Sequence, residues 1–233
     1  MTIAALLKDP AFNLTDVDRQ VLAQTDEEFH YHDWAELQDI IARGDLGVLK
    51  RKPSDLVRYL QWTKHIKAEY GSSTNYICLE RLKWPLPEGT VAVNNTATSN
   101  GCGGTATPTA GFTFKNPTPF ADAADYKILR NDWPYGIAEG ISHLVVWLRT
   151  PIAVKGDGKG MITEESRVLI EDFVQRTFVD RIAKKDGMSE ADAQAKVIWF
   201  KNYTALQSVR GLEHVHVLLK DVPETLLHEW TGE

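Results

Sequence analysis

The stretch "PLPEGTVAVNNTATSNGCGGTATPTAGFTFKNPTPF" (residues 85–120) most limits what this chain can fold into. Its proline, glycine, threonine and asparagine content breaks any helix and leaves few positions for a strand. A structureless segment this long is unusual inside a compact domain, so it reads as a lid, a mobile insert or a linker. It parts a helical N-terminal region (1–84) from an α+β region (121–233) that carries the candidate chemistry, with the loop or lid at 85–120 between them and the whole forming one compact domain. "GCGG" (101–104) is no phosphate cradle, because no GK[ST] follows it and no helix begins there.

Upstream of the break the signals are helical. "TDEEFHYHDWAELQDIIARGD" opens on the capping residue Thr25 with an acidic first turn and stops near Gly44. "KPSDLVRYLQWTKHIKAEYG" has a start signal in Pro53–Ser54–Asp55 and a stop in Gly71, and Leu56, Leu60, Tyr59, Ile66 and Tyr70 recur at helical spacing. A further helix, or a helix and a short strand, is expected from Ser73 to Trp84. Downstream, "DYKILRNDWPYG" reads as a strand ending in a turn fixed by Pro134 and Gly136. "ISHLVVWLRTPI" alternates, with His143, Val145 and Trp147 on one face and Leu144, Val146 and Leu148 on the other. Thr163 caps a long amphipathic helix with the stripe Ile170, Val174, Phe178 and Ile182, flanked by Leu169 and Phe173. A short helix in "DGMSEADAQAK" and the strands "VIWF" and "EHVHVLL" follow. The expected class is therefore α+β: an antiparallel sheet with a long helix packed on it, preceded by the helical region.

Composition narrows the function classes. A net charge of −6 argues against general affinity for nucleic acid, although Lys50, Arg51, Lys52, Arg58, Lys64 and Lys67 make a local basic stretch. That stretch also reads as a solvated helix face. Cys78 and Cys102 are too few for a disulfide framework and lack metal spacing, so reduced thiols are expected. The N-terminus has no signal-peptide pattern and no apolar run spans a bilayer, which points to a cytoplasmic protein with no membrane partner.

The chemistry concentrates in "EHVHVLL" and "RNDWPYGIAEGISH". Val215, Val217 and Leu219 suit a core face, which leaves His214 and His216 on the other face, about 7 Å apart by strand geometry. Two adjacent imidazoles can act as acid and base, as nucleophile and orienter, or as half a metal site, and they can also be a half-exposed pair with no chemistry. A metal site would need His143 as a third ligand, and no HxxxH or cysteine ligand supports one, so neither metal nor other cofactor is expected. No GxSxG is present, and Ser208 is the one serine near the histidines that draws suspicion as a nucleophile.

"FKN", "LQSV" and "HVHVLL" (200–202, 206–209, 214–219), after a long helix, resemble the histidine-triad superfamily, whose motif has the sense N…QSV-x-H-x-H-x-H. "YKILRNDWPYGIAEGISHLVVW" is similar to that fold's paired strands, so the resemblance covers 121–219. It implies a histidine that attacks an α-phosphate to hydrolyse or transfer nucleotides. Two departures touch that chemistry: Leu218 replaces the third histidine, and Arg210–Glu213 separate Val209 from His214 where the motif has one residue.

The blocks "SDLVRYLQWTKHIKAEYGS", "RLKWP", "NDWPYGIAEGISHLVVWLRT" and "WFKNYTALQSVRGLEHVHVLL", in this order, resemble the fungal GlcNAc-induced protein family, also called domain of unknown function 3605. That family includes arginine-containing cyclodipeptide synthases. The resemblance implies an enzyme that joins the aminoacyl groups of arginyl-tRNA and a second aminoacyl-tRNA into a cyclo(Arg-Xaa) diketopiperazine.

On that implied chemistry His216 serves as base or acid and His214 as its partner, while Asn202 stabilises the oxyanion. Ser208 or Tyr135 would hold a transient aminoacyl group. Asp132, Glu139 and Glu213 would grip the substrate guanidinium, with Trp133, Trp147 and Trp199 stacking on it and His143 beside them. Lys50, Arg51, Lys52, Arg58, Lys64 and Lys67 would meet the tRNA acceptor stem. The alternatives are a histidine-triad-like nucleotide hydrolase or transferase and a non-enzymatic sugar-response interaction protein.

Overall fold

The structure, a computed structural model, describes residues 14–87, 111–156, 158 and 160–233. The centre of the Gly/Pro/Thr-rich stretch, with Cys102 and "GCGG", lies outside the described residues, and so does the lid expected there.

Helix α1 (Asp16–Leu22) starts on a capping box in which Thr15 and Asp18 satisfy each other's backbone amides. Helix α2 (Trp34–Arg43) starts at Asp33, not at Thr25 as expected. Asp33 and Glu36 form the capping box here, while residues 29–32 run extended and His32 bridges in parallel to Ile137. A reciprocal cap outweighs an acidic first turn alone. Helix α3 (Pro53–Tyr70) keeps its expected bounds, with Pro53 in the first turn and Gly71 at φ 78° as its stop. Helix α4 (Ser73–Tyr76) runs on into a π-turn at Ile77–Leu82, and residues 83–87 form no strand.

Strands β1 (Tyr126–Arg130), β2 (Ile141–Leu148), β3 (Val197–Phe200) and β4 (Glu213–Lys220) form one antiparallel sheet in the order β1-β2-β4-β3. Between β2 and β3 lies the long helical rod, α5 (Glu164–Val174), a π-turn at Gln175–Val179, and α6 (Asp180–Asp186), with Thr163 capping its start. A strict four-residue stripe drifts about 40° per step on a helix of 3.6 residues per turn. The wider π-turn takes up that drift, and Ile170, Val174, Phe178 and Ile182 all stay buried against the sheet. Short helix α7 (Glu190–Gln194) and a C-terminal helix α8 (Glu224–Thr231) complete the chain, and Leu226 and Leu227 of α8 join the same core.

The class is α+β with an antiparallel sheet. The sheet is covered on both faces, which corrects the half-exposed alternative for the histidines. Leu144, Val146, Leu148, Val215, Val217 and Leu219 pack on the long helix. The opposite face meets the N-terminal region in two patches. Ile77, Cys78 and Leu82 pack on Leu129, Val145 and Trp147, while Leu37 and Ile40 of α2 pack with Leu46 and Leu49 on Phe200 and Leu218. Between the two patches runs a polar seam.

Candidate active site

Strand register builds that seam. Val145 lies opposite His216 and Trp147 opposite His214, while His143 lies opposite Leu218, so all three histidines share one face. Each is 4–6% exposed. His143 Nε2 stands 2.9 Å from His216 Nδ1. The Asn202 amide nitrogen donates to the Tyr135 hydroxyl at 3.0 Å and lies 3.2 Å from His216 Nε2. An amide donor aimed at Nε2 makes that nitrogen the acceptor, so the His216 proton sits on Nδ1 and is donated to His143. The Asn131 amide nitrogen lies 3.2–3.3 Å from the His143 ring nitrogens, and Asn131 Oδ1 accepts from the Trp133 backbone amide at 3.0 Å. The Asn-Asp-Trp-Pro turn is thereby tied to the cluster.

His214 is held differently. Its Nδ1 lies 2.9 Å from the Leu212 carbonyl oxygen. A carbonyl only accepts, so Nδ1 carries the proton and Nε2 keeps its lone pair. Nε2 has no hydrogen-bond partner among the described residues, and the ring lines a cavity with Trp147 4.8 Å away. His216 thus has both nitrogens engaged, whereas His214 presents an available one.

Burial sets the charge state. It lowers His143 to about 3 and His214 to about 4, and it holds His216 well below its ordinary value, with His143 and His214 adding to the effect. All three rings are neutral at pH 7. Burial also raises the Tyr135 phenol, so its proton stays on at neutral pH.

The inner chamber is narrow, about 60 Å³, enough for a few waters. Arg51, Tyr59, Tyr135 and Ser208 line both it and a wider outer cavity of about 610 Å³, and so form a neck between the two. Lys67, Arg210, Gln207 and Asp18 line the outer cavity. Arg51 donates to the Trp133 carbonyl at 3.1 Å and lies 4.1 Å above the Tyr59 ring, with no carboxylate partner among the described residues.

The expected guanidinium pocket does not assemble. Asp132 lines the chamber, but Arg81 holds it with two hydrogen bonds of 2.8 Å and also reaches Glu233 at 2.6 Å. Glu139 sits exposed in the turn before β2. Glu213 faces the other side of β4, opposite Leu148, and pairs with buried Lys201. The 3.0 Å separation suits charge pairing, but Glu213 Oε2 lies off the hydrogen-bond direction. Burial raises the Glu213 carboxyl, while the Lys201 charge opposes the rise. Trp199 also lies outside, lining a separate cavity beneath Arg167, whereas Trp133 and Trp147 do line the chamber. Ser208 is exposed at the neck and makes no hydrogen bond to a histidine among the described residues.

The basic stretch is dispersed in the same way. Arg51 turns into the neck and Lys67 faces the outer cavity. Lys52 pairs with Asp26 at 3.4 Å, Arg58 pairs with Asp55, and Lys50 lies over the Phe29 ring. Lys64 is half-buried on α3. Sequence reasoning overlooked Tyr59, Trp62, Arg81, Arg130 and Asn131 as lining residues. Asn131 was within reach of it, being adjacent to Asp132 in the same turn. Tyr59 and Trp62 read as ordinary helix positions.

The chain matches the family described as "Protein of unknown function (DUF3605)" over residues 33–220. It is 26% identical over 197 residues to N-acetylglucosamine-induced protein 1 of Candida albicans (strain SC5314 / ATCC MYA-2876), covering 84% of this chain and 71% of that protein. It is 27% identical over 203 residues to the uncharacterized protein YPL067C of Saccharomyces cerevisiae (strain ATCC 204508 / S288c), covering 87% and 86%. A crystal structure of HTC1 shares the fold with a TM-score of 0.54 at 24% identity, over 87% of this chain and 89% of that one. With four-fifths of its length inside the match, this chain belongs to the DUF3605 family.

Proposed function

We propose that the protein is an acyl-transfer enzyme that takes two aminoacyl-tRNAs and releases a cyclodipeptide. The observation that carries this reading is the free Nε2 of neutral His214 inside a narrow chamber behind the cationic neck at Arg51. Phosphates of an acceptor end suit Arg51 and the outer cavity with Lys67 and Arg210. The aminoacyl group then enters the chamber, which has to widen beyond its resting volume of about 60 Å³ to take it, and the displaced water spares the ester from hydrolysis.

In the first step the α-amine of one aminoacyl group attacks the ester carbonyl of the other. A C–N bond forms, the C–O bond to the ribose breaks, and the amine proton passes by way of His214 Nε2 to the departing ribose oxygen. In the second step the new terminal amine attacks its own ester, which closes the diketopiperazine and frees the second tRNA. An imidazole lowered to about 4 is a weak base, and bound phosphate raises it toward the working range. The Tyr135 hydroxyl, which accepts from Asn202 and keeps its own proton, is the hydrogen-bond donor for the reacting carbonyl oxygen, with Asn202 orienting it. Arginine as one of the two residues rests on the family resemblance, because Asp132 is occupied by Arg81. A cytoplasmic setting, where tRNA is charged, belongs to the same reading.

Nucleotide transfer in the histidine-triad manner is the second reading. It is favoured by the same Arg51, which has no carboxylate partner among the described residues and suits an α-phosphate, with His214 rather than His216 as nucleophile. Mass spectrometry of the protein with total tRNA, amino acids, ATP and a synthetase extract, with and without RNase, separates the two. A cyclodipeptide mass lost on RNase treatment supports synthesis. Its absence with charged tRNA verified, together with a nucleotidyl-histidine adduct, moves the assignment to nucleotide transfer. Absence of both leaves a binding protein.

A further inference from the structure

Away from the chamber, His30, His32 and Glu36 converge where the extended segment meets the start of α2. Residues two apart on an extended chain point the same way, which puts both imidazoles on one side. Their ligand atoms and those of Glu36 lie within 4.8 Å of one another. His30 Nε2 is 2.8 and 2.9 Å from the two Glu36 oxygens, and His32 Nδ1 is 3.7 Å from Glu36 Oε2. Four-coordinate zinc with bonds near 2.0–2.1 Å holds its ligands about 3.4 Å apart, so these separations bracket what the ion needs. The exposed His30 ring has room to adjust.

His32 supplies the independent observation. Its side chain is only 12% exposed, and both of its nitrogens are buried with no hydrogen-bond partner among the described residues. A buried nitrogen pair left without partners is costly and calls for an occupant. Glu36 already caps α2 through the Asp33 amide at 3.0 Å, so its carboxylate is oriented without the ion. The positive end of the α2 dipole opposes a cation here, but that effect is small beside coordination by two imidazoles and a carboxylate.

We propose that His30, His32 and Glu36 form a divalent transition-metal site, with zinc the fitting occupant and water completing the shell. The site acts as a clamp. The His32 amide donates to the Gly136 carbonyl at 3.1 Å, and the Ala138 amide donates to the His32 carbonyl at 2.9 Å. Metal on the His32 ring therefore fixes the turn that carries Tyr135 into the chamber.

The test is calorimetric titration of the whole protein with zinc chloride, beside His30→Gln, His32→Gln and Glu36→Gln. Glu36→Gln keeps a side chain that completes the capping box, so it removes the charge without removing the cap. One zinc per chain at micromolar affinity or tighter is expected, with no competition from magnesium and a higher Tm on binding. Each variant should weaken zinc about tenfold or more and lose the Tm rise. Only millimolar binding by the wild type overturns the site. So does undiminished stoichiometry and affinity in His32→Gln, which would place zinc on another surface histidine.

Discussion

The two faces of the sheet are both buried and differently filled. On the face toward α5 and α6, Leu144, Val146, Val215, Val217 and Leu219 are at most 1% exposed and interlock with Phe173 and Phe178. On the other face His143, His214 and His216 are 4–6% exposed, between two separate apolar patches. Burial alone therefore does not tell structure from chemistry here. The first face is filled, whereas the second leaves a chamber and keeps one imidazole nitrogen without a hydrogen-bond partner among the described residues. A buried ring that turns a basic nitrogen toward a cavity is placed to meet a ligand there.

The comparison is sharpest at His214. His214→Gln removes the basic nitrogen and leaves an amide near the Nε2 position, at the cost of the Nδ1 bond to the Leu212 carbonyl. On the proposed function, cyclodipeptide formation should fall about a hundred- to ten-thousand-fold, measured by product mass per unit time and per folded molecule. Equal turnover would remove His214 from the mechanism.

Phe173→Ala on the filled face should cost about 3–5 kcal/mol in urea unfolding, by transfer and cavity terms together. Turnover per folded molecule should stay near wild type. A loss as deep as that of His214→Gln would erase the distinction between the faces.

The faces also differ in their response to acid. His214 titrates at about 4 in the native chain and near 6.5 unfolded, so the unfolded chain binds more protons between those values. Stability is complete above about 6.5 and is lost as pH falls toward 4, by about 3 kcal/mol from His214 alone. His143, at about 3, acts in the same direction over a wider span. Urea midpoints at neutral and mildly acidic pH should diverge for wild type and Phe173→Ala alike, and less for His214→Gln. Equal slopes in all three would mean that the histidines do not carry the acid sensitivity.

The smallest effect is expected at the neck. Arg51→Gln should raise KM for charged tRNA about tenfold and reduce the salt slope of binding by about one, with little change in kcat. A change confined to kcat would move Arg51 from phosphate binding to the reacting groups.

Local chemistry made much of this legible in the sequence. Alternation put residues 143–148 of β2 and 214–219 of β4 on their faces, Thr163 marked the start of the long helix, and Pro53 with Gly71 bounded α3. Those signals depend on neighbours a few residues apart. The α2 start was misplaced by an acidic turn that competes with a stronger cap eight residues on, and helix α8 passed unnoticed in a short polar C-terminus.

The sequence by itself determined that two histidines would share a strand face and that an antiparallel sheet would pack on a long helix. Only the tertiary structure decided which nitrogen is free, which carboxylates are occupied and what covers the histidine face. Asp132 meets Arg81 across 51 residues, and Tyr135 meets Asn202 across 67. No local pattern encodes such pairings, because they follow from the packing of the whole chain rather than from the period of any one element.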